Sequence, residues 1–252
     1  MRRRTALLYL ALAACSRKEE PLKARTEPWQ NPAFQEGAAS SAAPSASAAA
    51  SEHYALERAD VRFALATKEQ TTRGRIAAAS GELRLAQGKL AETRATLDVD
   101  LTTLTIDADG DAESQSAYTR RALEWLEVGP ALPAATRDRH RGARFELTGL
   151  ERLTPGKNPG AWQATARGQL SLHGFRVPVE QPIAVELGSN TITVRSLRPL
   201  VIKLGEHDLR PRNEQGQIVS SELSLLGTRI GREAKVDFEL EFAARAIPEN
   251  SD

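Results

Sequence analysis

The chain has 252 residues, of which 27% are charged, 40% hydrophobic and 5% aromatic. Its formal net charge is +1, and without Arg2, Arg3 and Arg4 the balance is 31 basic against 33 acidic residues. Such near-neutrality supplies no field for nucleic acid or an anionic membrane surface. The single cysteine, Cys15, excludes an internal disulfide.

Residues 1–14 open on three arginines and continue as Ala6-Leu-Leu-Tyr-Leu-Ala-Leu-Ala-Ala14. This apolar run is too short to span a bilayer as a helix and has the layout of a secretory signal peptide. It ends in Leu12-Ala-Ala-Cys15, which resembles the bacterial lipobox, where the cysteine becomes the first residue and carries lipid. The resemblance implies lipid attachment at Cys15. Because Ser16 rather than Asp follows, it also implies an outer-membrane anchor facing the periplasm. A plain signal peptide with an incidental cysteine is the other reading.

Residues 15–52 read as a disordered tether. Positions 38–51 are only Ala, Ser and Pro, which cannot bury enough apolar surface to fold. A flexible coil from Cys15 to Tyr54 reaches roughly 35 Å. Trp29 and Phe34 interrupt it, either as stray exposed aromatics or as contacts with the domain.

Residues 53–247 are patterned as strands, ahead of a short tail at 248–252. Apolar residues alternate at Val61, Phe63 and Leu65; at Leu83 and Leu85; at Leu97, Val99 and Leu101; and at Phe145 and Leu147. Two long runs follow: Ala164, Ala166, Leu170 and Leu172, then Val177, Val179, Ile183, Val185 and Leu187. Ile192 with Val194, Leu223 with Leu225, and Val236, Phe238, Leu240 and Phe242 complete the set. Period-two alternation marks strands with one buried face. Gly174 permits the bend between the two long runs. Gly88, Pro155-Gly156, Gly188-Ser-Asn190, Gly216 and Gly231 separate other runs as turn residues. About eight such strands predict one all-β domain. Strands this long favour a strongly twisted antiparallel barrel over a sandwich.

One helix is expected at residues 117–128, with Tyr118, Ala122, Trp125 and Leu126 on one face and Gly129-Pro130 as its stop, capping one end of the barrel. Residues 136–144, with Arg137-Asp-Arg-His-Arg141, read as a basic loop that is solvated or, alternatively, meets an anion or headgroup. Asp107-x-Asp-Gly-Asp111 hints at calcium, but its Gly stands at position four rather than six, so an acidic turn is the better reading. The histidines at 53, 140, 173 and 207 are scattered, none at metal-ligand spacing from another His or Cys, and His173 reads as a satisfied turn residue. There is no Gly-x-Ser-x-Gly, P-loop or dinucleotide fingerprint. No catalytic residue, metal or cofactor is therefore assigned. An eight-stranded barrel can be filled by its own side chains or hold one small ligand, and alternation alone leaves both open.

Gly168-x-Leu-Ser-Leu-x-Gly-x-x-x-Pro-Val resembles the central signature of the YceI family of lipid- and polyisoprenoid-binding barrels. Tyr54-x-Leu-Glu with Val61-x-Phe63 resembles its opening strand, and Gly74-x-Ile with Gly81-Glu-Leu-x-Leu its second block. Leu97-x-Val-x-Leu-x-x-Leu104 is similar to the strand before the helix, and Val236-x-Phe-x-Leu-x-Phe-x-Ala244 to the closing strand. The departures are Thr67 in place of a frequent His, Trp125-Leu126 in place of paired Phe, and an expanded link at 129–142. The resemblance implies an eight-stranded, lipocalin-like barrel with a long apolar cavity, in an exported protein that binds an isoprenoid-like or other amphiphilic lipid. Alternation turns Phe63, Leu65, Leu97, Val99, Leu170, Leu172, Val179, Phe238 and Leu240 to one inside, which the resemblance makes a lipid-binding cavity; Trp162, on the parity of Leu170 and Leu172, falls near one mouth unless a bulge intervenes. The alternative is a structural lipoprotein with a filled barrel that presents loops to a partner. A second copy of the chain is kept as a candidate partner, and nucleic acid is not.

Overall fold

A computed structural model describes residues 51–245, apart from 68–70, 87–88, 108–110, 221–222 and 226–227. The signal segment, Cys15, Trp29, Phe34, Gly88 and the tail at 248–252 lie outside the described residues.

Twelve strands run in chain order: β1 Ser51–Thr67, β2 Thr71–Ile76, β3 Ala79–Ala86, β4 Arg94–Asp100, β5 Leu104–Asp107, β6 Gly142–Pro155, β7 Ala161–Leu172, β8 Phe175–Leu187, β9 Thr191–Ser196, β10 Leu200–Lys203, β11 Ser224–Leu225 and β12 Thr228–Ala244. Several are halves of one bent strand. β2 and β3 both pair with β1, on either side of a break at residues 77–78. The expected single strand at 95–106 is β4 and β5, parted by a 3-10 turn at Leu101–Thr103. The two breaks are tied together: Asp100 N donates to Ala78 O (2.9 Å), and Ala78 N to Thr103 Oγ1 (3.0 Å). β9 and β10 likewise share β12.

Counted this way the sheet is the eight-stranded antiparallel barrel, β1-β3-β4-β6-β7-β8-β9-β12, closed where β12 pairs with β1. At the other end β5, β2, β1, β12 and β10 form one sheet and β6, β7 and β8 another, and no ladder joins β5 to β6 or β8 to β10 among the described residues. Pro178 sits on the part of β8 that no second strand covers, where a missing N–H breaks no ladder.

The alternation expected for β7 and β8 is observed. Ala164, Ala166, Leu170, Leu172, Ile183 and Val185 are buried. In β1 the inward parity changes: Tyr54 is buried on even numbering and Val61 on odd. The ladder to β12 slips between Leu56 and Arg58, a bulge that returns both sets to the interior. A slip between Leu147 and Gly149 does the same for Leu147 and Leu150. Gly231, expected as a turn, lies inside β12 next to a second irregularity, between Leu65 and Thr67 of its partner.

Among the described residues two α-helices occur where one was expected. α1 is Ala112–Trp125, five residues earlier at its start than the sequence reading. Asp111 supplies the start signal, its side chain accepting from Ser114 N. The end is a Schellman motif, with Val128 N bonded to Leu123 O (2.9 Å) and Glu127 N to Glu124 O (3.0 Å). Glu127 takes the left-handed seat (φ 56°) that glycine usually fills, so the helix stops before Gly129. α2 is Ala134–His140, and the stretch read as a basic loop is thus largely helical, beginning after Pro133, whose fixed φ suits a helix start. Its final residue, His140, is buried. The bidentate pair Arg144–Asp98 (2.7 and 2.7 Å), and Arg141, two of whose guanidinium nitrogens donate to one oxygen of Asp100 (3.0 and 2.6 Å), fasten β6 and the end of α2 to β4.

Glycine also makes room for rings. A Cβ at Gly168 would lie 2.5 Å from the Phe145 ring and 2.4 Å from Glu146 O. Gly168→Ala is therefore expected to lower stability by about 1–3 kcal/mol, the usual cost of overpacking. Gly205→Ala, with nothing within 4 Å of the added carbon, should change it by less than about 0.5 kcal/mol. Urea midpoints at constant m-value check both.

Candidate functional site

The inward faces do not meet across the barrel. They enclose a cavity of about 280 Å³, just under the roughly 300–1,000 Å³ usual for ligand pockets. Its wall draws on both hydrophobic clusters: Leu83, Leu147, Ile183 and Val185 from the closed end, and Leu101, Trp125, Leu204 and Ile230 from the end that α1 plugs. The space therefore runs along the barrel axis. α1 enters because its apolar face, Tyr118, Ala122, Trp125 and Leu126, completes the second cluster.

Among the described residues no ionisable side chain lines the cavity. Its polar groups are Thr93, Gln181 and the indole of Trp125. Thr93 Oγ1 donates to Leu90 O (2.7 Å), and Gln181 Nε2 donates to Arg198 O (2.6 Å) across the gap between β8 and β10. Trp125 Nε1 is buried without a hydrogen-bond partner among the described residues. Phe63, Leu65, Leu97, Val99, Leu170, Leu172, Val179, Phe238 and Leu240 all lie on the wall. Trp162 does not. It packs on the first cluster, paired with Val185, which does line the space. The wall residues that periodicity in strands could not supply include those of α1, the 204–209 segment and, before β4, Leu90 and Thr93.

Behind the α1 plug lies a polar cluster that the sequence left as scattered residues. His140, His173 and His207 are all buried. His173 and Gly174 are the two central residues of the β7–β8 hairpin, both at positive φ (53° and 79°), with Leu172 paired to Phe175. That is the type I′ turn, in which Asn-Gly is the usual pair. The His173 ring stacks on His140 with centroids 4.3 Å apart. Its Nε2 is 2.7 Å from Glu127 Oε2 and its Nδ1 3.0 Å from His207 O. Arg212 approaches the same carboxylate oxygen at 3.6 Å and also donates to Gly216 O (2.9 Å). Burial pushes the Glu127 carboxyl up, but the His173 hydrogen bond and the charges of Arg212, His173 and His140 outweigh it and hold it below its ordinary value. Burial lowers His207, with only partial compensation from its contact to Leu172 O.

The fold and this interior define a closed antiparallel barrel around an apolar, uncharged space. The chain belongs to the YceI-like family, whose domain matches residues 53–242. A polyisoprenoid-binding domain from Saccharophagus degradans implicated in plant cell wall breakdown is 19% identical at a TM-score of 0.54, over 76% of this chain and 98% of that one. BcnA of Burkholderia cenocepacia is 16% identical at 0.48, over 73% and 95%. No curated protein matches the chain.

Both shifted groups of the cluster have folded-state values below their unfolded ones, so the unfolded chain takes up their protons first. Their contribution to stability is complete at neutral pH. It declines as pH falls below 6.5, the ordinary value of His207, and declines again below 4.5, that of Glu127. Melting temperatures from pH 8 to pH 4 should show the first decline, and His207→Gln should remove it. An unchanged profile in that variant would assign the acid sensitivity elsewhere.

Proposed function

We propose that the protein binds an isoprenoid-like or other long-chain amphiphilic lipid inside the barrel, as an envelope lipoprotein that holds or carries it. The observation that bears most weight is the uncharged wall around an unfilled axial space. Burial contributes roughly 0.8 kcal/mol per CH₂, or on the order of 4 kcal/mol per five-carbon unit. A few units therefore offset the roughly 4–15 kcal/mol cost of association without any polar anchor. A chain of the same fold, the S. degradans domain, is a polyisoprenoid-binding one, which supports the same ligand class here. The indole N–H of Trp125 is the donor left for a polar group on the lipid. An interior without titratable side chains favours binding over catalysis.

Ala166 is buried on the cavity wall, so Ala166→Phe fills the space without adding charge. Protein purified without detergent should release a long-chain lipid on extraction, detected by mass spectrometry, and should take up labelled polyprenol. The variant should keep a cooperative melt and lose both. Wild-type protein that carries no lipid and takes up none would overturn the reading in favour of a filled scaffold.

Anchoring rests on Leu12-Ala-Ala-Cys15 behind a short apolar run. Two or more acyl chains hold a protein firmly where one binds marginally. Cys15→Ala should move the protein from the outer-membrane fraction to the soluble fraction or leave it unprocessed, and wild type should carry the mass of an acylated N-terminus. Unchanged fractionation with no lipid mass would dismiss the anchor.

A further inference from the structure

We propose that Glu127, His140 and His173 form a site for one divalent transition-metal ion of the zinc class, separate from the lipid cavity. The three potential ligand atoms lie within 4.8 Å of one another. They come from three independent elements: the residue that terminates α1, the last residue of α2 and the first turn residue of the β7–β8 hairpin. None of the three lines the cavity, although Trp125 and Leu126, just ahead of Glu127, do.

The hydrogen-bond inventory around His173 points to a cation. Both of its ring nitrogens face acceptors, Nδ1 the carbonyl of His207 and Nε2 the carboxylate of Glu127. A neutral imidazole has one N–H and cannot donate to both. Nδ1 donation to a backbone carbonyl is the arrangement that orients a metal-binding histidine and turns the Nε2 lone pair outward. With the proton on Nδ1 that lone pair meets a carboxylate oxygen, and a cation between them, a second proton or a metal ion, satisfies both. The histidine side chains are 4% and 2% exposed and the carboxylate 16%, so little water reaches the three groups to substitute for it.

The spacing suits an ion. Zinc ligands at about 2.0–2.1 Å from the metal in tetrahedral geometry lie about 3.4 Å from one another. The observed separations from Glu127 Oε2 are 2.7 Å to His173 Nε2 and 3.8 Å to His140 Nε2, on either side of that value. The backbone offers an independent sign. Glu127 (φ 56°) and His173 (φ 53°) occupy left-handed seats that Gly or Asn would fill with less strain. Such strain gathers where a side chain is held for a task. Arg212 is the competing cation. Its contact to Glu127, at 3.6 Å, is the longest of three, since it also holds Asp208 (3.4 Å) and Gly216 O (2.9 Å). Binding the ion asks it to give up only that contact.

The test uses the full chain without a histidine tag, stripped with a chelator and titrated with Co(II) and then Zn(II). One Co(II) per chain is expected, with the visible absorption of a four-coordinate site, displaced by Zn(II), and with a rise in melting temperature that saturates at one equivalent. Glu127→Gln and His140→Ala should each weaken binding by more than about tenfold, while His53→Ala, at the far end of β1, should not. Absence of saturable binding below about 1 mM in wild type overturns the proposal, because it leaves a proton as the cation at Nε2. Binding that Glu127→Gln leaves unchanged overturns it as well, and that variant keeps the shape of the side chain should His140→Ala fail to fold. Lipid uptake measured in parallel reports separately on the cavity.

Discussion

The pairing of β1 with β12 is the constraint on which the structure depends. Backbone N–H and C=O groups along these two 17-residue strands would otherwise form free sheet edges. Closure satisfies them and fixes the number of strands; an eight-stranded interior can be filled by side chains or hold one small ligand, and here the inward faces leave a space. Everything inside then turns on parity. Side chains alternate strictly, so a strand that slips by one residue would turn its apolar set to solvent. The bulges at Glu57 in β1 and Thr148 in β6 are where the chain absorbs that mismatch.

At the other end β6, β7 and β8 part from the sheet that holds β1 and β12, and an open wedge remains between the two. α1 and the segment around Leu204 and Leu209 fill it with apolar side chains inward, and α2 adds His140 to a polar layer behind. Three residues of that layer, Glu127, His173 and Asp208, hold left-handed backbone without being glycine. The local conformations are less favourable than a glycine would make them, and the surrounding ion pairs and hydrogen bonds hold them in place.

Much of the barrel was legible in the sequence. Alternation in β4, β7, β8 and β12 identified the inward residues, because a half-buried strand leaves a period that no other element shares. Tyr54 and Leu56 escaped that reading because the bulge at Glu57 puts them out of phase with Val61 and Phe63. α1 was recognised from its apolar face, but its end was placed at Gly129 because Glu127 occupies a seat that glycine usually signals. α2 has no apolar stripe, and Ala-Ala-Thr-Arg-Asp-Arg-His reads as a solvated loop until tertiary contacts bury its last residue. The polar cluster had no local sign at all. His140, His173 and His207 stand more than thirty residues apart, and only the return of separate strands and loops brings them together.

Closing the barrel at Tyr54–Ala244 joins the two ends of the domain. A contact of such sequence separation carries a large loop-closure entropy before it returns any burial, which places it late in folding and slows the whole reaction. Until β12 has been synthesised, β1 has its neighbours β2 and β3 on one side and nothing on the other. The nascent domain therefore carries an exposed, apolar-faced strand edge for most of its synthesis, a form that holdase chaperones recognise and that self-association threatens. The feature that gives the finished barrel its seamless wall thus sets the requirement that the chain be kept apart from its own copies until its last strand arrives.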